Sequence, residues 1–533
     1  MRHTPSVFLL ATLLAACGDD SPSPAVDLGA AAPDAARADA GTPDSGSPDA
    51  SADAGESDVL TPILAIAAPR SGRMTPVRRV VVTGVATDET ALGELTVGGE
   101  PVAVEPDGSF TTAVLLEPGA NAIDLHLTDA AGNATDETVE VYFGHRIGVG
   151  NSQAVALRDG VVHTWGRNEL GQLGNGTLEG SGYGEDPETS SLPARYTLEV
   201  ASVVSVVTRQ TFMVALQAGG TVLTWGSNGS GQLGRETASD CGSNGTSACG
   251  RTPEPVVGLT DVVAVQAGFE HTLVLHADGS VSSFGSNEFG QLGRPGDPAT
   301  PAPVEGLAEV VQIAAGATST YALTADGEVW AWGENDRGQL GLGTSDGDAH
   351  PVPTRIEALS DVVQIAASNA SGYALTVDGS VWAWGRNHAG QVGNGESGDD
   401  VLAPAQVLAD GGPLTGIENL AADGFVALAS TPEGRVFAWG WGFLGQLGQG
   451  YDAEGDRDLE NRLVASEVFV PEADREAFTA VEIEAGAGGP SLVLAESGAL
   501  FGWGWSFRGS LGLEGAIDAW AYSAPVLVLP APE

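Results

Sequence analysis

Basic residues are scarce in this chain of 533 residues: lysine and arginine together number 22, against 70 aspartates and glutamates, for a formal net charge of −48. A surface so negative repels nucleic-acid phosphates and anionic headgroups, which excludes a general nucleic-acid-binding role. Cysteine is nearly absent, with three residues. Long apolar runs are missing too. The longest, "VFLLATLLAA" before Cys17, falls short of the roughly 20 residues that span a bilayer. Catalytic signatures are absent as well. There is no H-E-x-x-H, no G-x-S-x-G and no phosphate-binding glycine loop, and the eight histidines are scattered. What is abundant is glycine, 75 residues, with 42% hydrophobic content. That balance points to a turn-rich, all-β fold with a real interior and not to a helical one.

The first seventeen residues have the form of an export signal. The ending "LLAAC" resembles a bacterial lipobox, which implies acylation at Cys17 and a membrane attachment through lipid alone. Residues 18–58 are Ala, Asp, Pro, Ser and Gly, too poor in large apolar side chains to build a core, and are expected to form an extended acidic tether. Cys241 and Cys249 lie close in sequence and, in an oxidising compartment, read as a disulfide stapling one loop.

Residues 59–145 consist of short alternating runs, such as "RRVVVTGVATD" and "NAIDLHLTDAAGN", separated by Gly, Asp, Pro and Asn. This spacing suggests an antiparallel β-sandwich. The stretch resembles the immunoglobulin-like modules of secreted bacterial proteins, which space or present other domains.

From residue 146 one sentence repeats. The pattern W-G-x-N-x-x-G-Q-L-G begins at Trp165, Trp225, Phe284, Trp332, Trp384, Trp439 and Trp503, at intervals of 48 to 64 residues. A glycine stands five residues before each, often after aspartate, as in "ADGEVWAW". Asp-Gly predicts a type I′ hairpin at constant register. An isolated hairpin is marginal, so each unit must bury its aromatics against a neighbour. Asn335, Gln339 and their repeats read as hydrogen-bonding partners of the turn backbone.

Motif, register and count resemble the regulator of chromosome condensation repeat family over residues 146–533. The resemblance implies a seven-bladed β-propeller of four-stranded blades. The first repeat lacks the "PV" element that precedes the others and the chain ends on an unassigned "SAPVLVLPAPE". The expectation is therefore that Pro525–Leu529 completes the first blade and closes the ring. In the last two motifs Gly442, Ser506 and Ser510 replace the usual asparagine and glutamine. There Trp441 and Trp505 stand either as partner contacts or as compensating packing.

No cofactor is implied. One weak metal candidate is the acidic run Asp452, Asp456, Asp458 and Glu460, whose spacing does not match an EF-hand. Three connections are expanded: 177–196, 235–252 and 449–478. The functional expectation is a monomeric, non-catalytic scaffold in the bacterial cell envelope, held by lipid at the outer membrane or cell surface, that binds a protein or glycan through propeller loops. Two alternatives are an inhibitor of a hydrolase, as in a β-lactamase inhibitory propeller of this type, and an enzyme with its site in the channel.

Overall fold

The computed structural model describes residues 60–179, 195–242, 245–451, 456–486, 489–506, 509–513 and 521–532. Cys17, the tether and Asp452 lie outside them. Strands dominate; helix among the described residues is confined to short 3-10 segments such as Glu472–Asp474.

The first two sheets come from residues 63–143. Ile63–Ala68, Arg79–Thr87 and Ser109–Leu115 form a three-stranded sheet, and five further strands, including Gly119–Asp129 and Ala134–Phe143, form the second. Alternation places Val80, Val82 and Phe110 of one sheet against Leu95, Leu125 and Val141 of the other in a single core. Gly84 is required there: a Cβ would stand 2.4 Å from the Ala65 carbonyl oxygen and 2.6 Å from the Phe110 ring.

Seven sheets follow between residues 147 and 529. Each takes an inner strand, the two strands of the expected hairpin and an outer strand from contiguous chain. In the fourth these are Val310–Ala315, Ser319–Thr324, Val329–Gly333 and His350–Arg355, paired in that order. The hairpin register is constant: Trp330 faces Ala322 and Trp382 faces Ala374. The turn type differs from expectation. Only the first copy places both residues, Asp159 and Gly160, at positive φ. In the fourth, Gly327 alone does so, and Thr324 closes a three-residue loop through its bond to the Glu328 carbonyl at 3.0 Å. That is a type I turn with a glycine bulge, which also matches strand twist.

Neighbouring sheets share apolar cores in sequence, and the series returns to its start. Val481, Leu494 and Val528 of the seventh sheet pack with Ile147, Ala154 and Trp165 of the first. The closure, however, is not the expected one. Ala521–Leu529, which contains Pro525, pairs with Leu500–Trp505 as the outer strand of the seventh sheet. The first sheet has its own outer strand, Tyr196–Leu198. The error was one of phase. The "PV" segment closes the sheet before it: Ala302–Pro303 pairs with the third sheet, not the fourth. Part of the 449–478 expansion is likewise regular, since Arg462–Glu467 is the sixth sheet's outer strand.

Within each repeat the inner strand ends, the second begins and the third ends on one rim, so every motif turn lies on that face. The hairpin turns lie on the other. The N-terminal module sits on the hairpin side. Tyr142 Oη donates to the Val204 carbonyl at 2.6 Å, the Arg78 amide to Val311 O at 2.9 Å, and the His145 amide to Ser205 Oγ at 3.0 Å. Arg78 also donates through its guanidinium to the Ala277 carbonyl.

Candidate functional site

The repeated polar residues are consumed by their own turn. Asn335 accepts the Leu340 amide at 3.1 Å and donates to Thr344 O at 3.0 Å, while Gln339 accepts the Arg337 amide at 2.8 Å. Both are fully buried. The motif aromatics Trp165, Trp225, Phe284, Trp332, Trp384, Trp439 and Trp503 are buried as well, at 1% exposure or less. Each indole then does a second job. Trp384 Nε1 donates to the carbonyl of Gln339, the glutamine of the preceding motif, at 2.8 Å, and Trp439 and Trp503 repeat this on Gln391 and Gln446. Gly341, at φ +69°, leaves room for it: a Cβ would lie 2.9 Å from Trp384 Nε1. Phe284 has no N–H to give, and the Gln232 carbonyl it would meet is taken by Thr272 Oγ1 at 2.8 Å.

The sixth turn shows how a departure from the motif is compensated. Gly442 replaces asparagine, its amide donates to Asn461 Oδ1 at 3.1 Å, and a Cβ there would fall 2.0 Å from Glu460 O. The 449–478 segment thus fills the vacated position. Trp441 and Trp505 are both half-buried. Trp441 lies in a cluster: its ring meets Phe425 edge-on at 6.0 Å and Phe443 near-parallel at 6.2 Å, and Phe443 is 64% exposed. The Arg386 guanidinium lies 4.9 Å over the Phe425 ring. Phe425 and Phe443 had escaped sequence reading, because Phe425 lies outside the motif and Phe443 at one of its variable positions.

A cavity of about 90 Å³ lies on the axis, walled by the inner strands of the second to seventh sheets. The N-terminal module reaches it with Met74, Thr75 and His145. At the motif-turn end Arg209 crosses from the second sheet to Asp423 of the sixth, at 2.5 Å, and donates to the carbonyls of Ala315 and Ala367. Around it the inner turns are laced together: the Phe269 amide donates to Ala317 O, the Ala317 amide to Asn369 O, and the Asn369 amide to Gly424 O.

Two carboxylates line the cavity. Glu482 stands where Gln312 and Gln364 stand in other repeats ("VVQIAA" against "AVEIEA"). Gln312 grips the next inner strand twice, accepting from Ile365 N and donating to Ile365 O, both at 2.8 Å. Glu482 grips the first sheet in the same way, accepting from Arg146 N at 2.9 Å and Ile147 N at 3.4 Å. Burial pushes its carboxyl up to about 8, against the pull of those bonds. Burial, then the charges of Glu482 and Asp423, hold Glu484 well above the usual range. Burial lowers His145 to about 4.

The remaining candidates do not converge on chemistry. Asp458 is ion-paired with Arg462, and Glu460 lies 3.8 Å from the same guanidinium, while Asp456 belongs to no ligand group. Among the described residues no three metal-donor side chains cluster. Cys241 and Cys249 are joined as a disulfide, tying Ser239–Cys241 to Ser247–Pro255 at the margin of the second sheet.

Residues 119–490 match the family described as RCC1-like domain, and residues 62–144 match domain B of glucodextranase. The chain is similar to the ultraviolet-B receptor UVR8 of Arabidopsis thaliana, with 32% identity over 380 residues, 70% of this chain and 67% of the receptor. It is 30% identical over 320 residues to the human E3 ubiquitin-protein ligase HERC2, covering 59% of this chain and 5% of the ligase. Among solved structures it resembles human WBSCR16, with a TM-score of 0.57 and 25% identity over 69% of this chain and 94% of that one. Yeast RCC1 (Prp20), solved with Kap60 bound, gives 0.53 at 23% identity, over 64% and 78%.

Proposed function

This chain belongs to the RCC1-like domain family, and from that premise we propose that it is a non-catalytic scaffold whose seven sheets are the blades of one propeller and which binds a protein partner. The observation that carries the reading is the Phe425–Trp441–Phe443 cluster. It lies on the face that the N-terminal module leaves bare, in a repeat whose motif aromatic Trp439 is fully buried. The axial cavity argues the same way. It is too small for a polymer substrate and is capped by the module at one end and by Arg209 with Asp423 at the other. Relatives with this fold include a protein solved in complex with another protein.

The reading extends to the whole chain: a signal peptide over 1–17, a lipid on Cys17, an acidic tether over 18–58, an immunoglobulin-like module over 59–145 and the propeller over 146–533, at the outside of a bacterial cell. The module is then a cap on the propeller and not a spacer. The test is affinity capture from the native envelope with the full mature chain and its Trp441→Ala variant. A dominant partner retained by the first and lost by the second is the expected result; the same partner on both, or none on either, removes the proposal. Membrane fractionation of Cys17→Ala tests the anchor, which is wrong if that variant still pellets with membranes.

A further inference from the structure

The motif contains two kinds of position. Its named residues are spent on the turn and on the neighbouring sheet. Its x positions are held less completely, although Asp336 accepts from Gln339 Nε2 at 3.1 Å and Ser286 Oγ from Gln291 Nε2 at 3.2 Å. The residue before the asparagine is half-buried in every copy, and the residue two places later is exposed in five, from Gly229 to Phe443. Seven turns on one face therefore set these variable positions in a ring around the axis, and their chemistry is uneven.

One arc is aromatic. In the sixth and seventh sheets it carries Trp441, Phe443 and Trp505, with Phe425 just inside them. The other arc, on the third and fourth sheets, is acidic: Glu270, Glu288, Glu334 and Asp336. Asp336 meets Arg337 at 3.3 Å. The other three have no ion pair among the described residues; Glu270 accepts from Ser230 Oγ at 2.8 Å and Glu334 from Thr318 Oγ1. Half-buried, Glu334 is held above the usual carboxylate range by burial, against the pull of Thr318 and Arg337.

Taking the binding-scaffold reading as given, the geometry points to a basic protein partner that seats an apolar knob on the Phe425–Trp441–Phe443 arc and sets lysine or arginine side chains against Glu270 and Glu288. The aromatic arc supplies affinity through burial, and the acidic arc supplies orientation and encounter rate. A net charge of −48 draws a cationic partner and repels anionic glycans and nucleic acids. A neutral glycan would use the aromatic shelf but leave the acidic arc without a role.

The test uses the mature full chain and three fluorescent peptides: one of alternating leucine and lysine, one with serine in place of leucine, and one with glutamate in place of lysine. The leucine–lysine peptide is expected to bind, the glutamate peptide not to. Phe443→Ser, at an exposed site, should weaken binding about tenfold at any salt, and Glu270→Gln with Glu288→Gln about tenfold at low salt and little at high salt. Unchanged binding in both variants, equal binding of the serine peptide, or displacement by a neutral dextran overturns the proposal.

A second arm separates this inference from the reading beneath it. The chain contains no lysine, so amine-reactive cross-linkers find no side chain; a photo-reactive residue is placed instead at His388, on the ring, or at Val377, on the hairpin side. Envelope cross-links from His388 that vanish with Phe443→Ser support the proposal. Cross-links from Val377 alone leave a scaffold that binds through its other side and discard this surface. None from either discards both.

Discussion

Trp165 donates its indole N–H to the carbonyl of Ser510, 2.9 Å away and 345 residues later in the chain. The bond is the same one that Trp384 makes to Gln339 between consecutive sheets, used here between the last sheet and the first. With Arg195 donating to Gly512 O and Val528 O, it ties the ring without exchanging a strand.

Trp165→Phe keeps the ring and removes the donor, leaving a buried carbonyl unmet. It should cost about 1–3 kcal/mol in denaturant unfolding, and Trp384→Phe less, because Tyr321 Oη still donates to the Gln339 carbonyl. If closure depended on the C-terminal strand alone, Trp165→Phe would be silent.

Glu482→Gln should stabilise the protein, increasingly so toward alkaline pH. Glu482 has a folded value of about 8, above its ordinary one, so the folded state holds a proton the unfolded state has released. Its favourable contribution is complete in acid and is lost as pH rises toward 8. Glutamine keeps an oxygen to accept from Arg146 N and does not titrate. The stability difference between variant and wild type should be small at pH 4 and reach on the order of a few kcal/mol at pH 8. Buried His145 and His271, lowered to about 4 and about 3, act in the opposite sense. They remove stability as pH falls below the ordinary histidine value; His271 does so equally in both proteins, whereas His145, whose Nδ1 lies 3.8 Å from Glu482 Oε1, loses that neighbouring carboxylate in the variant. A pH-independent difference in thermal unfolding would refute the assignment.

The N-terminal module and the ring should unfold in one transition. Val77 packs in the core of Ile356, Leu359 and Val362, and Met74 in that of Ile147 and Val481. A piece beginning at residue 146 loses both plugs and uncovers the cavity, so calorimetry should show it melting well below the longer chain. Two separate transitions in the intact chain would mean a loosely held module. Tyr142→Phe, which removes the bond to Val204 O, should cost about 1 kcal/mol.

Reduction of Cys241–Cys249 should act locally. The pair closes a short loop, for which chain-entropy reasoning gives about 2–3 kcal/mol, but it clamps a ribbon at the margin of its sheet. Proteolysis between residues 239 and 249 should accelerate while the global midpoint barely moves. Collapse of the global midpoint would show that the ribbon carries the second sheet.

The repeat was legible because turn chemistry is local. Asn335, Gln339 and Gly341 are needed wherever that turn is made, so seven turns print seven motifs. Strand ownership was not legible. Whether "PV" belongs to the sheet before or after it depends on pairing across tens of residues, which left Pro525–Leu529 assigned to the wrong sheet. Docking of the module was invisible too, since Tyr142 and Arg78 bond to backbone carbonyls that any sequence offers. Glu482 and Glu484 could have been found by aligning "AVEIEA" beneath "VVQIAA", where carboxylates replace an amide and an alanine.

Every sheet of the ring is drawn from one uninterrupted length of chain, and the final one lends no strand to the first. Such a circle has no privileged seam. Its beginning and end are an accident of where the polypeptide was opened, so the same circle opened at another inter-sheet loop would possess every strand pairing it needs. Growth or loss of a whole unit would disturb only the angle between neighbours, never the membership of a sheet.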